Sequence, residues 1–318
     1  MGSLINVTGI SLNFSPKGLL TRSDKKQANR DLLSLFRTAV CDHQGRIAQH
    51  FLLGNEYHKR LRLLIDSGDK PRVLEQVKKL NQLHVDALRD AWAVSVKHLR
   101  DYFLLTHKSP RPPRLCIKAS KRVHQPDGVE ENCIVVVFRE DGSRSPEHYS
   151  ISGNSGFNYV ETKGKYFLEN NIPEAVKLRG YRNHRLNHKF AADYKESSKL
   201  SPKYYFEKED REWIKCWDSD VAAPSDSQAC YKSTLIVPMT LMYNSLSEEF
   251  VETGVGQAAT IGRSIYGFLC FDHTDKFYFQ DVDVNVGYIF ADLLSLYRIT
   301  SDALLTKSAV VEGARKFR

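Results

Sequence analysis

The chain has 318 residues, of which 42% are hydrophobic and 26% are charged, so it has the composition of a globular protein with one large domain or two modest ones. Its longest apolar run, Cys133–Phe138, has six residues, far fewer than a membrane span needs, and the N-terminus is too polar for a signal peptide. We therefore expect a cytoplasmic protein with no membrane segment.

The net charge of +8 is concentrated in the N-terminal third. Residues 1–110 carry 18 Lys and Arg against 10 Asp and Glu, whereas residues 111–318 carry 28 of each kind. Such a balance permits contact with an acidic partner without requiring it. The cysteines form no CxxC pair, so we predict reduced thiols rather than disulfides or a metal site. They are Cys41, Cys116, Cys133, Cys216, Cys230 and Cys270.

The N-terminal region carries a helical pattern after a short arm or strand at residues 1–24. Apolar residues recur at helical spacing from 25 to 65, and Gly45 and Gly54 interrupt them. The interruptions predict two or three short helices rather than one. We assign residues 1–69 to an N-terminal helical module.

A single long helix is predicted from Pro71 to about Thr106. Asp69 is a suitable N-cap two residues before Pro71, and proline is tolerated in a first helical turn. Two adjacent apolar stripes along the helix predict burial on more than one side. The prolines at 110, 112 and 113 end the helix, so residues 70–110 form a connecting helix and a domain boundary.

Several short elements follow the boundary. The runs Leu115–Ser120 and Cys133–Arg139 predict adjacent strands, and the continuously apolar 133–138 predicts a strand covered on both faces. Short helices are expected near 157–162, 174–178 and 207–217, with a brief strand at 165–169.

Two more strands are predicted at 231–240 and 264–272. Pro238 cannot donate a ladder hydrogen bond, so we expect it at a strand end or a bulge. Gly267 within a strand predicts close approach by a helix or a ligand.

The last predicted helix, about Asp281–Leu305, carries an apolar seam with alternating spacings of three and four residues, as in coiled coils. The seam could pack on the chain's own sheet or form a dimer interface. Its residues are Val282, Val286, Ile289, Leu293, Leu296 and Thr300.

Five segments, in this order, resemble a GAF domain, a small-molecule sensor module. They are Gly156–Val160, the turn and strand 163–168 with the following 170–173, the strand Ser233–Pro238, the strand Ile265–Leu269, and Phe279 with Asp281 and the helix beyond. The resemblance covers roughly residues 111–305 and leaves a basic C-terminal tail at 306–318. It implies an α+β fold with a central antiparallel sheet, helices on both faces, and a ligand pocket under a variable lid.

The segment Lys177–Phe190 within this lid is basic and contains no acidic residue. If it covers a pocket, it favours an anionic small molecule such as a nucleotide, because guanidinium groups pair with phosphate and carboxylate. The alternative is a solvated or partner-binding surface; metal and nucleic acid are less favoured. The predicted ligand-binding residues are Tyr181, Arg182, His184, Arg185, Trp213 and Trp217.

The sequence contains none of the GxGxxG, GxSxG, HExxH or Walker A patterns. We therefore predict a non-enzymatic signalling protein, without a resident cofactor, that senses a small ligand and acts on a separate partner protein. A homodimer through the 70–108 and 281–305 helices is also predicted. Two alternatives stay open: a scaffold subunit with a vestigial pocket, and a thiol-based redox enzyme using Cys216 or Cys230, as in GAF-type methionine sulfoxide reductases.

Overall fold

The computed structural model describes residues 3–7, 10–14, 22–124, 130–140, 148–178, 180–183, 231–242 and 263–306, with the side chains of most of them. The chain divides into two compact units. Unit 1 comprises residues 1–112, 239–266 and 288–318, and unit 2 comprises residues 113–238 and 267–287. Among the described helices, none is both long and apolar enough to cross a bilayer.

Unit 1 begins with strands β1 (Ser3–Val7) and β2 (Ile10–Phe14), which pair antiparallel. Helix α1 then runs without a break over Arg22–Ser67. The prediction of two or three short helices is therefore wrong. Each glycine inside a helix costs about 1 kcal/mol relative to alanine, but burying one large apolar side chain contributes about 1.5–3 kcal/mol. Leu61 of α1 is fully buried against the next helix, so tertiary packing offsets the glycines.

Helix α2 covers Lys70–Thr106, which confirms the predicted long helix and its start. The carboxylate of Asp69 accepts a hydrogen bond from the backbone N–H of Arg72, and Pro71 lies in the first turn. His107 then takes an extended backbone conformation, ahead of the prolines. The sequence features that start and stop this helix are local, which is why the prediction succeeded.

Helices α1 and α2 form an antiparallel hairpin that buries four histidines, which we call the histidine seam: His43, His50, His84 and His98. His84 Nδ1 lies 3.1 Å from His50 Nε2, and His98 Nε2 lies 2.9 Å from a carboxylate oxygen of Asp42. The spacings of seven between 43 and 50 and of fourteen between 84 and 98 keep each pair on one helix face. The seam is a polar stripe inside an otherwise apolar interface.

The last helix, α5, covers Asp281–Thr306, and its part in unit 1 begins at Tyr288. Phe290, Leu294 and Tyr297 are buried there, and the Tyr297 hydroxyl lies 3.2 Å from His43 Nδ1. Leu296 of the predicted seam is 45% exposed, so packing against the described residues of the chain does not cover the whole seam. The buried side chains are instead the aromatic rings of the next residues along the chain, Phe290 after Ile289 and Tyr297 after Leu296. The dimer alternative stays a prediction.

Unit 2 is built on an antiparallel sheet with strand order β5-β4-β3-β8-β7-β6. Its strands are β3 (Arg114–His124), β4 (Glu130–Arg139), β5 (His148–Ser150), β6 (Phe167–Glu169), β7 (Ser233–Met242) and β8 (Arg263–His273). Helix α3 (Ser155–Lys163) lies between β5 and β6 in the chain, and helix α4 (Ile172–Lys177) follows β6. The predicted strands and these two helices are confirmed; the predicted helix at 207–217 lies outside the described residues.

Three local predictions about the strands need correction. Strand β4 is second from the sheet edge and Val137 is 41% exposed, so this strand is not covered on both faces throughout. Pro238 lies inside β7, where it is tolerated because the pairing of β6 with β7 ends at Ile236. A Cβ on Gly267 would lie 2.5 Å from the carbonyl oxygen of Lys118, so the close approach comes from the neighbouring strand rather than from a helix or a ligand.

Helices pack on both faces of this sheet. On one face, the start of α5 is so close that a Cβ on Gly287 would lie 2.8 Å from Val237 Cγ2. On the other face, the Phe157 ring of α3 lies 4.9 Å from the Phe268 ring in T-shaped geometry. The chain therefore has an α+β fold with an N-terminal helical part and a six-stranded antiparallel sheet. Its identity as a GAF domain stays a prediction.

Asn170 connects two distant segments of unit 2. Its Nδ2 donates to the carbonyl of Phe279 at 2.8 Å, and its Oδ1 accepts from the N–H of the same residue at 3.1 Å. Its own carbonyl accepts from the N–H of Phe277, which has a positive φ of 56°. The turn after β6 is thereby fixed to the segment that leads into α5.

Candidate functional site

The face of the sheet that contacts α3 carries a group of polar side chains on its central strands. Strands β3 and β8 pair with Cys116 opposite Cys270 and Lys118 opposite Phe268. Because side chains alternate along a strand, Cys116 and Lys118 share one face with Cys270 and Asp272. We call the following residues the polar cluster: Cys116, Lys118, Tyr181, Asn183, Tyr231, Thr234, Cys270 and Asp272.

Lys118 is a half-buried lysine at the centre of this cluster. Its Nζ lies 4.7 Å from the centroid of the Phe157 ring, a distance typical of a cation–π contact. Burial acts to lower the pKa of Lys118, but the negative charge available at Cys116, Cys270 and Asp272 outweighs it and raises the pKa. The ammonium is therefore charged at neutral pH. No carboxylate of the described residues lies within 4.0 Å of it.

Asp272, at the end of β8, is the carboxylate of the cluster. Burial raises the pKa of Asp272, while Lys118 and the Thr234 hydroxyl act to lower it. The Thr234 hydroxyl lies 2.7 Å from Asp272 Oδ1 and also 3.2 Å from the carbonyl oxygen of Phe271. This hydrogen bond fixes the carboxylate on the sheet surface, so Asp272 and Lys118 form separate acceptor and donor positions.

Two tyrosines and an asparagine border the cluster. The hydroxyls of Tyr181 and Tyr231 lie 3.1 Å apart, and Asn183 Nδ2 donates to the Tyr231 hydroxyl at 3.0 Å. Burial raises the pKa of Tyr181 to about 12 and raises the pKa of Tyr231 well above its ordinary value, so both hydroxyls keep their protons at neutral pH. The side of the Tyr181 ring packs with Ile172 and Val176 of α4.

Of the predicted ligand-binding residues, the structure describes Tyr181 and Arg182. Tyr181 is buried in the polar cluster. Arg182 Nη2 donates to the carbonyl of Ser152 at 2.6 Å, and the Arg182 carbonyl accepts from the N–H of Ser155. These bonds attach the segment 180–183 to the start of α3. His184, Arg185, Trp213 and Trp217 lie outside the described residues, as do Cys216 and Cys230.

The sequence reasoning missed Lys118, Asp272, Thr234 and Tyr231 as site residues. The signal for Lys118 was available, since it is the one charged residue in the strand segment 115–120. A charged residue in such a segment, when it is not at a sheet edge, faces either solvent or a site. Asp272 could not be found this way, because its place on the same sheet face as Lys118 follows from the strand register alone.

Unit 1 has a separate depression of about 120 Å³ between α1, α2 and α5. Arg46 and Asp90, whose nearest side-chain atoms lie 3.7 Å apart, are at this depression. Its other lining residues are Gln49, His50, Leu53, Leu83, Asp86, Ala87 and Tyr297. Pockets for drug-sized ligands have volumes of about 300–1,000 Å³, so this one is too small for a nucleotide.

The described residues include no group of three or more His, Cys, Asp or Glu side chains arranged to hold a metal ion. No protein-family model matches the chain, and no curated protein matches it significantly. We therefore infer function from the chemistry of the polar cluster. That cluster offers one ammonium, one carboxylate, one threonine hydroxyl and two tyrosine hydroxyls on a single sheet face.

Proposed function

We propose that this chain is a non-enzymatic, cytoplasmic regulatory protein that binds a small anionic molecule at the polar cluster of unit 2. The observation that carries the proposal is the ammonium of Lys118, half-buried on the sheet, charged, and not in ion-pair contact with a carboxylate of the described residues. A partly desolvated ammonium is a strong binding position for a phosphate or carboxylate group.

The surrounding groups suggest how the ligand would be oriented. Its anionic group would accept hydrogen bonds from Lys118, while a donor such as an amine or a ring N–H would face Asp272. The tyrosine hydroxyls would supply further donors without adding charge, since burial keeps the pKa of Tyr181 at about 12. The GAF resemblance supports this location, because the family's ligand pocket is on one face of its central sheet.

The partner-protein part of the proposal is supported by exposed apolar side chains on the hairpin of unit 1. Leu52 and Leu63 of α1 are 64% and 70% exposed, and Leu74 of α2 is 49% exposed. Exposed leucines that together formed one contiguous patch on the two helices would provide a surface of the kind that binds other proteins. We propose that the hairpin contacts the partner, and that a homodimer through 70–108 and 281–305 is one form of this contact.

Ligand binding can be tested with a thermal-shift screen of defined anionic probes: inorganic phosphate, nucleoside mono- and triphosphates, cyclic nucleotides and dicarboxylates. A ligand that binds the folded state raises the melting temperature by mass action. Any stabilising probe is then titrated by calorimetry into wild-type protein and into Lys118→Met.

Lys121→Met is the matched control, because it removes the same charge from an exposed position of the same strand. A charged hydrogen bond contributes about 1.5–3 kcal/mol, so Lys118→Met should weaken the Kd by roughly tenfold to a hundredfold while Lys121→Met leaves it unchanged. Equal affinity of the wild type and Lys118→Met would refute the proposed site. A screen without any stabilising probe would instead favour the scaffold alternative.

A further inference from the structure

The sheet of unit 2 places two thiols directly opposite each other on neighbouring strands. Cys116 of β3 and Cys270 of β8 are register partners in the antiparallel pair. Opposite residues of such a pair have Cα atoms about 4.5 or 5.5 Å apart, and both separations are within the range of about 4.4–6.8 Å that a disulfide spans. Both cysteines are free thiols in the structure.

The chemistry of the two thiols differs. Cys116 is half-buried, whereas Cys270 is 2% exposed. The Cys270 thiol donates a weak hydrogen bond to the carbonyl oxygen of Phe268 at 3.9 Å. The adjacent Cys270 thiol and the Lys118 ammonium act to lower the pKa of Cys116, although burial opposes them. Burial raises the pKa of Cys270, so Cys116 is the better nucleophile.

We propose that Cys116 and Cys270 are a redox modification site that forms an intramolecular disulfide on exposure to a peroxide, with Cys116 as the attacking sulfur, Cys270 as the resolving sulfur and Lys118 as a positioning residue. The proposal does not depend on the ligand proposed for the polar cluster. Cys116 and Cys270 are also different from Cys216 and Cys230, the cysteines considered above for a redox enzyme.

The reaction takes two steps. The Cys116 thiolate attacks one oxygen of hydrogen peroxide, the O–O bond breaks, and the departing hydroxide takes up a proton to become water, leaving a sulfenic acid on Cys116. The Cys270 thiol then loses its proton, and its sulfur attacks the Cys116 sulfur. The S–O bond breaks, and the leaving hydroxide takes up a proton as a second water. Two thiols and one peroxide thus give one disulfide and two waters.

Peptide mapping of the full-length protein tests this directly. Reduced protein is treated with one equivalent of hydrogen peroxide under native conditions, free thiols are alkylated, and the chain is digested with trypsin without reduction. Cleavage after Arg114, Lys118, Arg263 and Lys276 gives peptides 115–118 and 264–276, which carry Cys116 and Cys270 as their single cysteines. We expect these two peptides joined by a disulfide, and released by reduction.

Variants separate the roles of the residues. Cys133→Ser should leave the cross-link in place, since Cys133 pairs with Lys121 and Ser150 rather than with a cysteine. Lys118→Met should slow cross-linking by roughly tenfold, because a nearby cation shifts a pKa by about one unit or more. Lys118→Arg keeps the charge and should restore the wild-type rate.

Two results would overturn the proposal. One is recovery of Cys116 and Cys270 as alkylated thiols after the exposed Cys41 has been oxidised. The other is a cross-link from either residue to a different cysteine. An unchanged rate in Lys118→Met would refute the role of the lysine. Peptide mapping of the wild-type protein needs no substitution, so the proposal can be tested even if a variant folds poorly.

Discussion

Mild acid should destabilise the helical hairpin of unit 1, because burial favours the neutral form of three of its histidines, His43, His50 and His84. Burial, together with His98 and Arg46, lowers the pKa of His43 to about 4. Burial, together with His50 and His58, lowers the pKa of His84 to about 4, and burial also lowers the pKa of His50. An unfolded histidine has a pKa of about 6.5, so below that pH the unfolded chain binds more protons than the folded chain.

The sign and the size of the effect follow from this difference. The stability that the neutral histidines contribute is fully present above about pH 6.5. It is lost as the pH falls towards 4, which is the folded-state pKa of His43 and of His84. Between about pH 7.5 and 5.5, these two histidines together should lower the free energy of unfolding by about 3 kcal/mol. His50 changes it in the same direction. Asp42, whose carboxylate oxygen lies 2.9 Å from His98 Nε2, acts in the opposite direction, because its negative charge raises the pKa of His43.

The measurement is urea unfolding followed by circular dichroism of the helical signal at both pH values. His43→Gln combined with His84→Gln keeps hydrogen-bonding groups at both positions but removes their titration, so the difference between the two pH values should shrink by most of its size. His107→Gln, outside the histidine seam, is the control and should keep the wild-type difference. The reasoning is refuted if wild-type stability is the same at both pH values, or if the double variant remains as pH-sensitive as the wild type.

Three further substitutions, each with a comparison variant, test other parts of the fold by the free energy of unfolding. Gly267→Ala should lower it by about 3 kcal/mol, since the new Cβ would meet the Lys118 carbonyl oxygen at 2.5 Å; Gly45→Ala, with no atom within 4 Å, should instead raise it by about 1 kcal/mol. Asn170→Ala removes both side-chain hydrogen bonds to Phe279 and should cost about 2 kcal/mol, and Asn170→Asp, which sets a carboxylate oxygen against the Phe279 carbonyl oxygen, should cost at least as much. Asp69→Ala removes the cap of α2 and should cost about 1 kcal/mol, with Asp69→Asn as the control that restores most of it.

Sequence patterns predicted the elements of this fold where local chemistry determines them. Asp69 and Pro71 predict the start of α2 because a cap and a first-turn proline act on adjacent backbone. The strands of unit 2 were predicted for a similar reason, since apolar runs between turn residues are local signals. Helix α1 was predicted wrongly, because Gly45 and Gly54 are unfavourable locally and the packing that offsets them comes from another helix.

The candidate site was less predictable than the fold. Lys118, Cys116 and Cys270 are far apart in the sequence, and the register of β3 with β8 brings them together. A shift of one residue in that register would move every side chain to the other face, and the sequence does not specify the register. Tyr181 was predicted from its position within the basic segment Lys177–Phe190; its hydrogen bond to Tyr231, fifty residues away, was not.

The route of the chain between the units has a consequence for its synthesis. The polypeptide passes from one unit to the other at residues 112/113, 238/239, 266/267 and 287/288. The contact of His43 with Tyr297 can form only after the ribosome has synthesised the chain as far as Tyr297, 254 residues after His43. Truncation at the proline-rich segment would remove Phe290, Leu294 and Tyr297 from the helical hairpin, so expression of residues 1–112 alone would give an incompletely covered fragment.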